Sequence, residues 1–192
     1  MEIKMNALKG LEIARKKILF RPDINSPIDP VTKKIVNDNR LKKNAVTLKY
    51  MLENGAAVAL IAHQGDTQDY QNLIPLMEHA QKLTALTGHP VHYIDDVCGP
   101  AAIEAVKKLP AGEAIILGNL RYLGEELSTF SNFVKLSPEE MQSVWHVRKL
   151  APLFDLYVND AFSAAHRGAP SMVAFPHVLP SAAGFQFFDE YA

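Results

Sequence analysis

Ala57-Val-Ala-Leu-Ile-Ala-His-Gln-Gly65 is an apolar run that ends abruptly in a histidine, an amide and a glycine. A short apolar run without strict alternation suits a parallel strand, because such strands are covered on both faces. Upstream, Leu41, Ala45, Leu48 and Leu52 recur at 4-3-4 spacing between Asn39 and Asn54, and Gly55 supplies a helix stop. Downstream, Leu76, Ala80, Leu83 and Leu86 make a similar face between Leu73 and Thr87, closed by Gly88. A strand between two amphipathic helices is the repeating unit of an α/β fold.

The unit recurs along the chain. Strand-like runs lie at Lys17–Ile24, Ala57–Ala62, Val91–Ile94, Ala114–Leu117, Leu156–Val158 and Met172–Phe175. Pro100 to Leu109 reads as a third helix. A fourth opens at Ser137-Pro138-Glu139-Glu140, an N-cap, a first-turn proline and a capping-box glutamate, and is expected to bury Met141, Val144, Trp145 and Leu150. The expectation is a three-layer α/β/α, doubly wound, mainly parallel six-stranded sheet.

The 192 residues suffice for one well-buried core, so positions 1–192 read as a single domain. A net charge of −1 argues against a bulk nucleic-acid binder and requires any cationic site to be local. Cys98 is the only cysteine, which excludes an internal disulfide and fits a reducing compartment. The segment from Met1 to Lys17 reads as charged and helix-like, without a signal-peptide core. No stretch approaches a membrane span, so a cytoplasmic protein is expected.

The chemistry collects where strands end. The first strand runs into Arg21-Pro-Asp23-Ile-Asn25, the second into His63-Gln-Gly65, a later one into Gly118-Asn119-Leu-Arg121. Another runs into Asn159-Asp160, followed by His166-Arg167. Parallel strands share one carboxyl edge, where ligands bind, so these residues would meet there. Arg21, Asp23 and Asn25 alternate along an extended run and share a face. A carboxylate beside an amide can clamp a substrate hydroxyl, although Asn-Ser-Pro also reads as a turn. Arg121 and Arg167 suit carboxylate or phosphate, or a structural ion pair. Asp38 reads as an N-cap, while Arg40 in the first helical turn opposes the helix dipole. A lone His63 fits a structural hydrogen bond as well as a ligand contact. The other histidines lack metal-site spacing, and neither a Walker loop nor a G-x-G-x-x-G is present. The polar segments Asp66–Asn72 and Gly124–Leu136 read as loops on the same edge.

Together these segments resemble the N-terminal domain of phosphoglycerate kinase, from about Lys17 to Gly184. The resemblance rests on Arg21-Pro-Asp-Ile-Asn-Ser-Pro, Asp38-Asn-Arg40, Ala62-His63-Gln-Gly65, Leu156-Tyr-Val-Asn-Asp-Ala-Phe162, Ala165-His166-Arg167 and Leu179-Pro-Ser-Ala-Ala-Gly184. Asp-Ile-Asn-Ser-Pro, Ala-His-Gln and Leu-Ala-Pro-Leu-Phe-Asp look closer to the archaeal branch. The resemblance implies a Rossmann-like domain binding 3-phosphoglycerate, a small anionic substrate, for ATP-dependent phosphoryl transfer to its carboxylate in glycolysis and gluconeogenesis. Asp23 and Asn25 would hold the hydroxyl and carboxylate end. Arg21, His63, Arg121, His166 and Arg167 would form the cationic patch, and Arg40 would stabilise the transferring phosphoryl group. Mg-ATP belongs to the family's C-terminal domain, expected outside this chain, so no cofactor is expected here and the domain would be catalytically incomplete alone. Where the family has arginine after His-Gln-Gly this chain has Asp66, and where it has glutamate before Asn-x-Arg this chain has Gly118. These departures keep open a non-catalytic paralogue binding another anionic metabolite or a protein partner. Asp66 separates the two, unless Lys33 or Lys34 replaces the missing cation.

Overall fold

The computed structural model describes residues 6–66 and 70–191. Six strands form one sheet: β1 (Lys17–Pro22), β2 (Ala57–Leu60), β3 (Val91–Tyr93), β4 (Ala114–Ile116), β5 (Leu156–Asp160) and β6 (Ser181–Ala183). Their spatial order is β3-β4-β2-β1-β5-β6, and every pairing is parallel. The helices are α1 (Asn39–Glu53), α2 (Met77–Thr87), α3 (Pro100–Lys108), α4 (Ser128–Phe133), α5 (Trp145–Leu150), α6 (Pro170–Val173), α7 (Phe175–Val178) and α8 (Phe185–Tyr191).

Successive strand residues point to opposite faces, and both faces are covered. Ile18 and Phe20 of β1, Val58 and Leu60 of β2, and Val158 of β5 join Leu41 and Leu48 of α1 and Leu83 of α2 in one core. Leu19, Ala59 and Tyr157 join Val106 of α3, Val147 and Leu150 of α5, and Phe175 of α7 in the other. Burial on two sides is why the central strands are apolar throughout. Each fully buried Leu, Ile or Phe contributes about 1.5–3 kcal/mol by leaving water.

Four expectations need correction. The run Met172–Phe175 is not a strand; it spans α6 and the start of α7, with Pro170 and Pro176 in their first turns. The sixth strand is Ser181–Ala183, whose small residues lie against β5. The helix from Ser137 is broken. Its capping box forms, with Glu140 N–H donating to Ser137 Oγ and Ser137 N–H to Glu140 Oε2. A 3-10 turn over Glu140–Ser143 then stops at Val144, which is extended, before α5 begins. That break rotates Trp145 outward to 45% exposure, against expectation, and turns His146 inward. Between residues 6 and 16 the described chain is not helical: Leu8 N–H donates to Ala183 O and Ala183 N–H to Asn6 O, along the β6 edge. The remainder of that reading, residues 1–5, lies outside the described residues. The segment Gly124–Leu136, expected as loop, carries a 3-10 turn and α4; in Asp66–Asn72, residues 67–69 are outside the description and 70–72 form a 3-10 turn.

The chain leaves β1 toward β2 on one side and leaves β5 toward β6 on the other. Neighbouring β1 and β5 therefore mark the topological switch point, beyond whose carboxyl ends ligands bind in open α/β sheets.

Candidate functional site

Three strand-end segments are locked together before any ligand is considered. Gln64, after β2, accepts from Ser26 N–H at 2.9 Å and donates to Ser26 O at 2.9 Å. Asn119, after β4, donates to Gln64 O at 2.9 Å and accepts from Gln64 N–H at 3.1 Å and Arg121 N–H at 3.0 Å. Both amides are buried, so each group that accepts or donates satisfies backbone that would otherwise lie unpaired. His79 adds a 2.9 Å contact to Gln64 Oε1. Burial takes the His79 pKa down to about 4, so this histidine acts as a neutral structural partner.

Behind this clamp lies a cavity of about 10 Å³ lined by Arg21, His63, Arg121, Glu126, Ala164, Arg167, Ala169 and Met172. It has room for about one water, so a larger anion would sit at its mouth. Arg21 is buried and each of its three nitrogens has a partner: Nη1 donates to Pro22 O at 2.8 Å, Nε to Ser171 Oγ at 3.2 Å, and Nη2 meets His63 Nδ1 at 2.9 Å. A guanidinium only donates, so His63 Nδ1 accepts and the proton sits on Nε2. Burial first, then the charges of Arg21, Arg121, Arg167 and Arg40, hold the His63 imidazole well below its ordinary range. His63 is a neutral donor here and no proton acceptor at Nδ1.

Arg121 is different. It is 5% exposed, yet its Nε and Nη1 have no hydrogen-bond partner among the described residues. Burial, then Arg167 and Arg21, lower its pKa against the attraction of Glu126 and Asp66. Glu126 balances the cluster from inside: its Oε1 accepts from His146 Nε2 at 2.6 Å and Ser171 N–H at 2.8 Å, and Oε2 from Ser171 Oγ at 2.7 Å. Burial disfavours its charge, but His146, Arg21 and Ser171 outweigh that and lower the pKa.

Beside this cavity, across the switch point, Asp23 accepts from Arg40 Nη1 at 3.0 and 2.9 Å and from Ser163 Oγ. Arg40 therefore reaches from the first turn of α1 to Asp23, which explains a cation placed against the helix dipole. Asp38 occupies the N-cap position without capping through its side chain; it pairs with Lys42 at 2.9 Å. Asn44 fixes Asp23 by donating to its carbonyl at 2.8 Å. Asn25 Oδ1 accepts from Gly65 N–H at 3.1 Å, joining the β1 and β2 loops. A cavity of about 220 Å³ contains Asp23, Arg40, Lys43 and Ser163. A second, of about 290 Å³, contains His166, Arg167, Ser128, Ser131 and Asn132.

The structure thus gathers Arg21, His63, Arg121 and Arg167 in one cavity, with Asp23 and Arg40 in a neighbour and His166 in another that shares Arg167. Asp66 is exposed past the β2 loop, and its charge acts on Arg121. Lys33 Nζ is engaged by Asn72 Oδ1 at 2.9 Å, and Lys34 is exposed. Gly118 lies against the segment after β3, where an added Cβ would stand 3.1 Å from Val97 Cγ2 and 3.2 Å from the backbone. A glutamate there would displace that segment. Sequence reading missed Glu126, Ser171, His146 and Ser163: the first three follow no strand directly, and Ser163, three residues past β5, stands in no charged or amide pattern. The signal for Glu126 was its place among arginines in the fold, which no local pattern carries.

The phosphoglycerate kinase family model matches residues 8–192. The chain belongs to the phosphoglycerate kinase family. It is 42% identical over 183 residues to phosphoglycerate kinase of Sulfolobus acidocaldarius, covering 95% of this chain and 42% of that protein. Against phosphoglycerate kinase of Methanothermobacter thermautotrophicus the identity is 39%, with 96% and 43% covered. The chain thus spans about two fifths of the curated relatives it matches, and the two named here are archaeal. The crystal structure of phosphoglycerate kinase from Pyrococcus horikoshii OT3 superposes with a TM-score of 0.88 at 37% identity, covering 97% of this chain and 44% of that one. Among the described residues, no helix is long and apolar enough to cross a membrane.

Proposed function

We propose that this chain is the 3-phosphoglycerate-binding domain of a phosphoglycerate kinase and works in the cytoplasm. The observation that carries the reading is Arg121: two of its buried guanidinium nitrogens have no partner among the described residues, and it lines a cavity with Arg21, His63 and Arg167. Such donors are unfavourable until an anion accepts from them. The substrate phosphate would bridge Arg121 and Arg167 at the cavity mouth, with the His63 Nε2–H as a further donor. The glycerate end would lie toward Asp23, Asn25 and Arg40. Displacing Ser163 from Asp23 would free an acceptor for the substrate hydroxyl.

The acceptor of phosphoryl transfer is a carboxylate, already ionised at neutral pH, so the site needs no general base. This agrees with a neutral His63 whose Nδ1 is engaged by Arg21. What the reaction needs is positioning and charge neutralisation. Arg40 uses Nη1 on Asp23, and its other donors, which no described residue holds, would meet a phosphoryl group arriving from the second domain of the family, which would present Mg-ATP. Calorimetric titration tests the reading. 3-Phosphoglycerate should bind with an affinity that falls as salt rises, and glycerate, lacking the phosphate, should bind too weakly to measure. Equal binding of the two would remove the cation cavity from the account.

A further inference from the structure

Glu126 lines the cation cavity alongside three arginines. A carboxylate free to turn there would close a two-pronged pair with a guanidinium, the geometry both groups favour. Among the described residues no such pair forms: Glu126 is held by His146 and Ser171, and Arg121 Nε and Nη1 stay unpaired. Three donors account for this. His146 Nε2 and Ser171 N–H hold Oε1, and Ser171 Oγ holds Oε2. His146 is fully buried, does not line the cavity, and its Nδ1 has no partner among the described residues. Among the described residues its side chain hydrogen-bonds only Glu126. Glu126 therefore offsets the charge of the arginines without occupying their N–H groups.

We propose that His146 is a positioning residue: it keeps Glu126 turned away from Arg121, so that the arginine donors remain open to an anion. The proposal rests on reading the cavity as an anion site. Without His146, Oε1 loses its side-chain donor and the carboxylate swings to the nearest guanidinium. An incoming phosphate must then displace a buried carboxylate.

The test uses the full chain as wild type, His146→Leu, Glu126→Gln combined with His146→Leu, and Ser171→Ala with and without Glu126→Gln. Crystal structures without ligand report where Glu126 lies, and NMR titration with inorganic phosphate reports affinity. In His146→Leu the Glu126 carboxylate should pair with Arg121 or Arg21, and phosphate should bind about tenfold more weakly, the loss of one charged hydrogen bond. Adding Glu126→Gln should restore binding, which a merely structural role for His146 does not predict. Ser171→Ala is a near-isosteric change that frees Oε2 together with Arg21 Nε, so it carries the same expectation, with Arg21 as the first guanidinium in reach, if His146→Leu fails to fold. The proposal is overturned if Glu126 keeps its place in these variants, or if the double substitutions do not recover affinity. If Glu126 swings as expected but the wild type binds neither phosphate nor 3-phosphoglycerate, the positioning stands and the anion reading fails.

Discussion

Arg121 sits among like charges with two buried nitrogens that no described residue meets, so burial and repulsion both oppose its charge. Each unsatisfied buried donor costs about 1–3 kcal/mol, and repulsion from Arg167 and Arg21 exceeds the attraction of Glu126 and Asp66. Arg121→Met keeps much of the aliphatic stem and leaves the backbone bond from residue 121 N–H to Asn119 Oδ1 intact. Without ligand the variant should therefore be more stable by at least the cost of one such donor, about 1–3 kcal/mol, which for a domain of this size raises the melting temperature by roughly 2–4 °C per kcal/mol. The same change removes two charged hydrogen bonds to a bound phosphate, each worth about 1.5–3 kcal/mol, so affinity should fall by at least about a hundredfold. Scanning calorimetry in phosphate-free buffer gives the first quantity, and titration with 3-phosphoglycerate gives the second. A variant that melts below the wild type yet binds as well would refute the reasoning on both counts.

Other consequences follow from the same geometry. Burial raises the Asp160 pKa to about 6, against the donors Thr47 Oγ1 and Phe187 N–H. Because the folded value exceeds the unfolded one, this residue's contribution is fully present below about pH 4 and is lost as pH rises through 6, a span of about 3 kcal/mol. Asp160→Asn should flatten that dependence in denaturant titrations run at pH 5 and pH 7.5. Asp66→Arg reverses a charge that acts on Arg121; 3-phosphoglycerate should bind several-fold more tightly at low salt, with the gain fading at high salt, and unchanged binding would place Asp66 outside the electrostatics of the site. Asn119→Ala strips partners from Gln64 N–H and O, Ile74 O and Arg121 N–H. It should cost about 3 kcal/mol or more in urea unfolding and weaken 3-phosphoglycerate binding in parallel.

The strands that carry both cores were legible because burial on two faces makes them apolar without alternation, as in Ala57–Leu60. The sixth strand was not. Ser181–Ala183 is three small residues whose partner is known only once β5 is placed, while the more apolar Met172–Phe175 folds as single helical turns behind prolines. Arg21, Arg121 and Arg167 could be read because they lie at or after strand ends, where parallel topology forces convergence. Glu126, Ser171 and His146 were hidden for a related reason. His146 turns inward only because the chain extends at Val144, and an unbroken helix from Ser137 puts Trp145 inside instead. Family resemblance supplied the roles of Asp23, Asn25 and Arg40, and the structure adds that Arg40 and Ser163 already occupy Asp23.

A crystal structure of the chain with 3-phosphoglycerate tests the central claim most directly. Phosphate oxygens should lie within hydrogen-bond distance of Arg121 Nε and Nη1, with Arg167 closing over them and the substrate hydroxyl on Asp23 in place of Ser163. A phosphate bound away from the carboxyl ends of β1 and β4, with Arg121 Nε and Nη1 still unpaired, would contradict it.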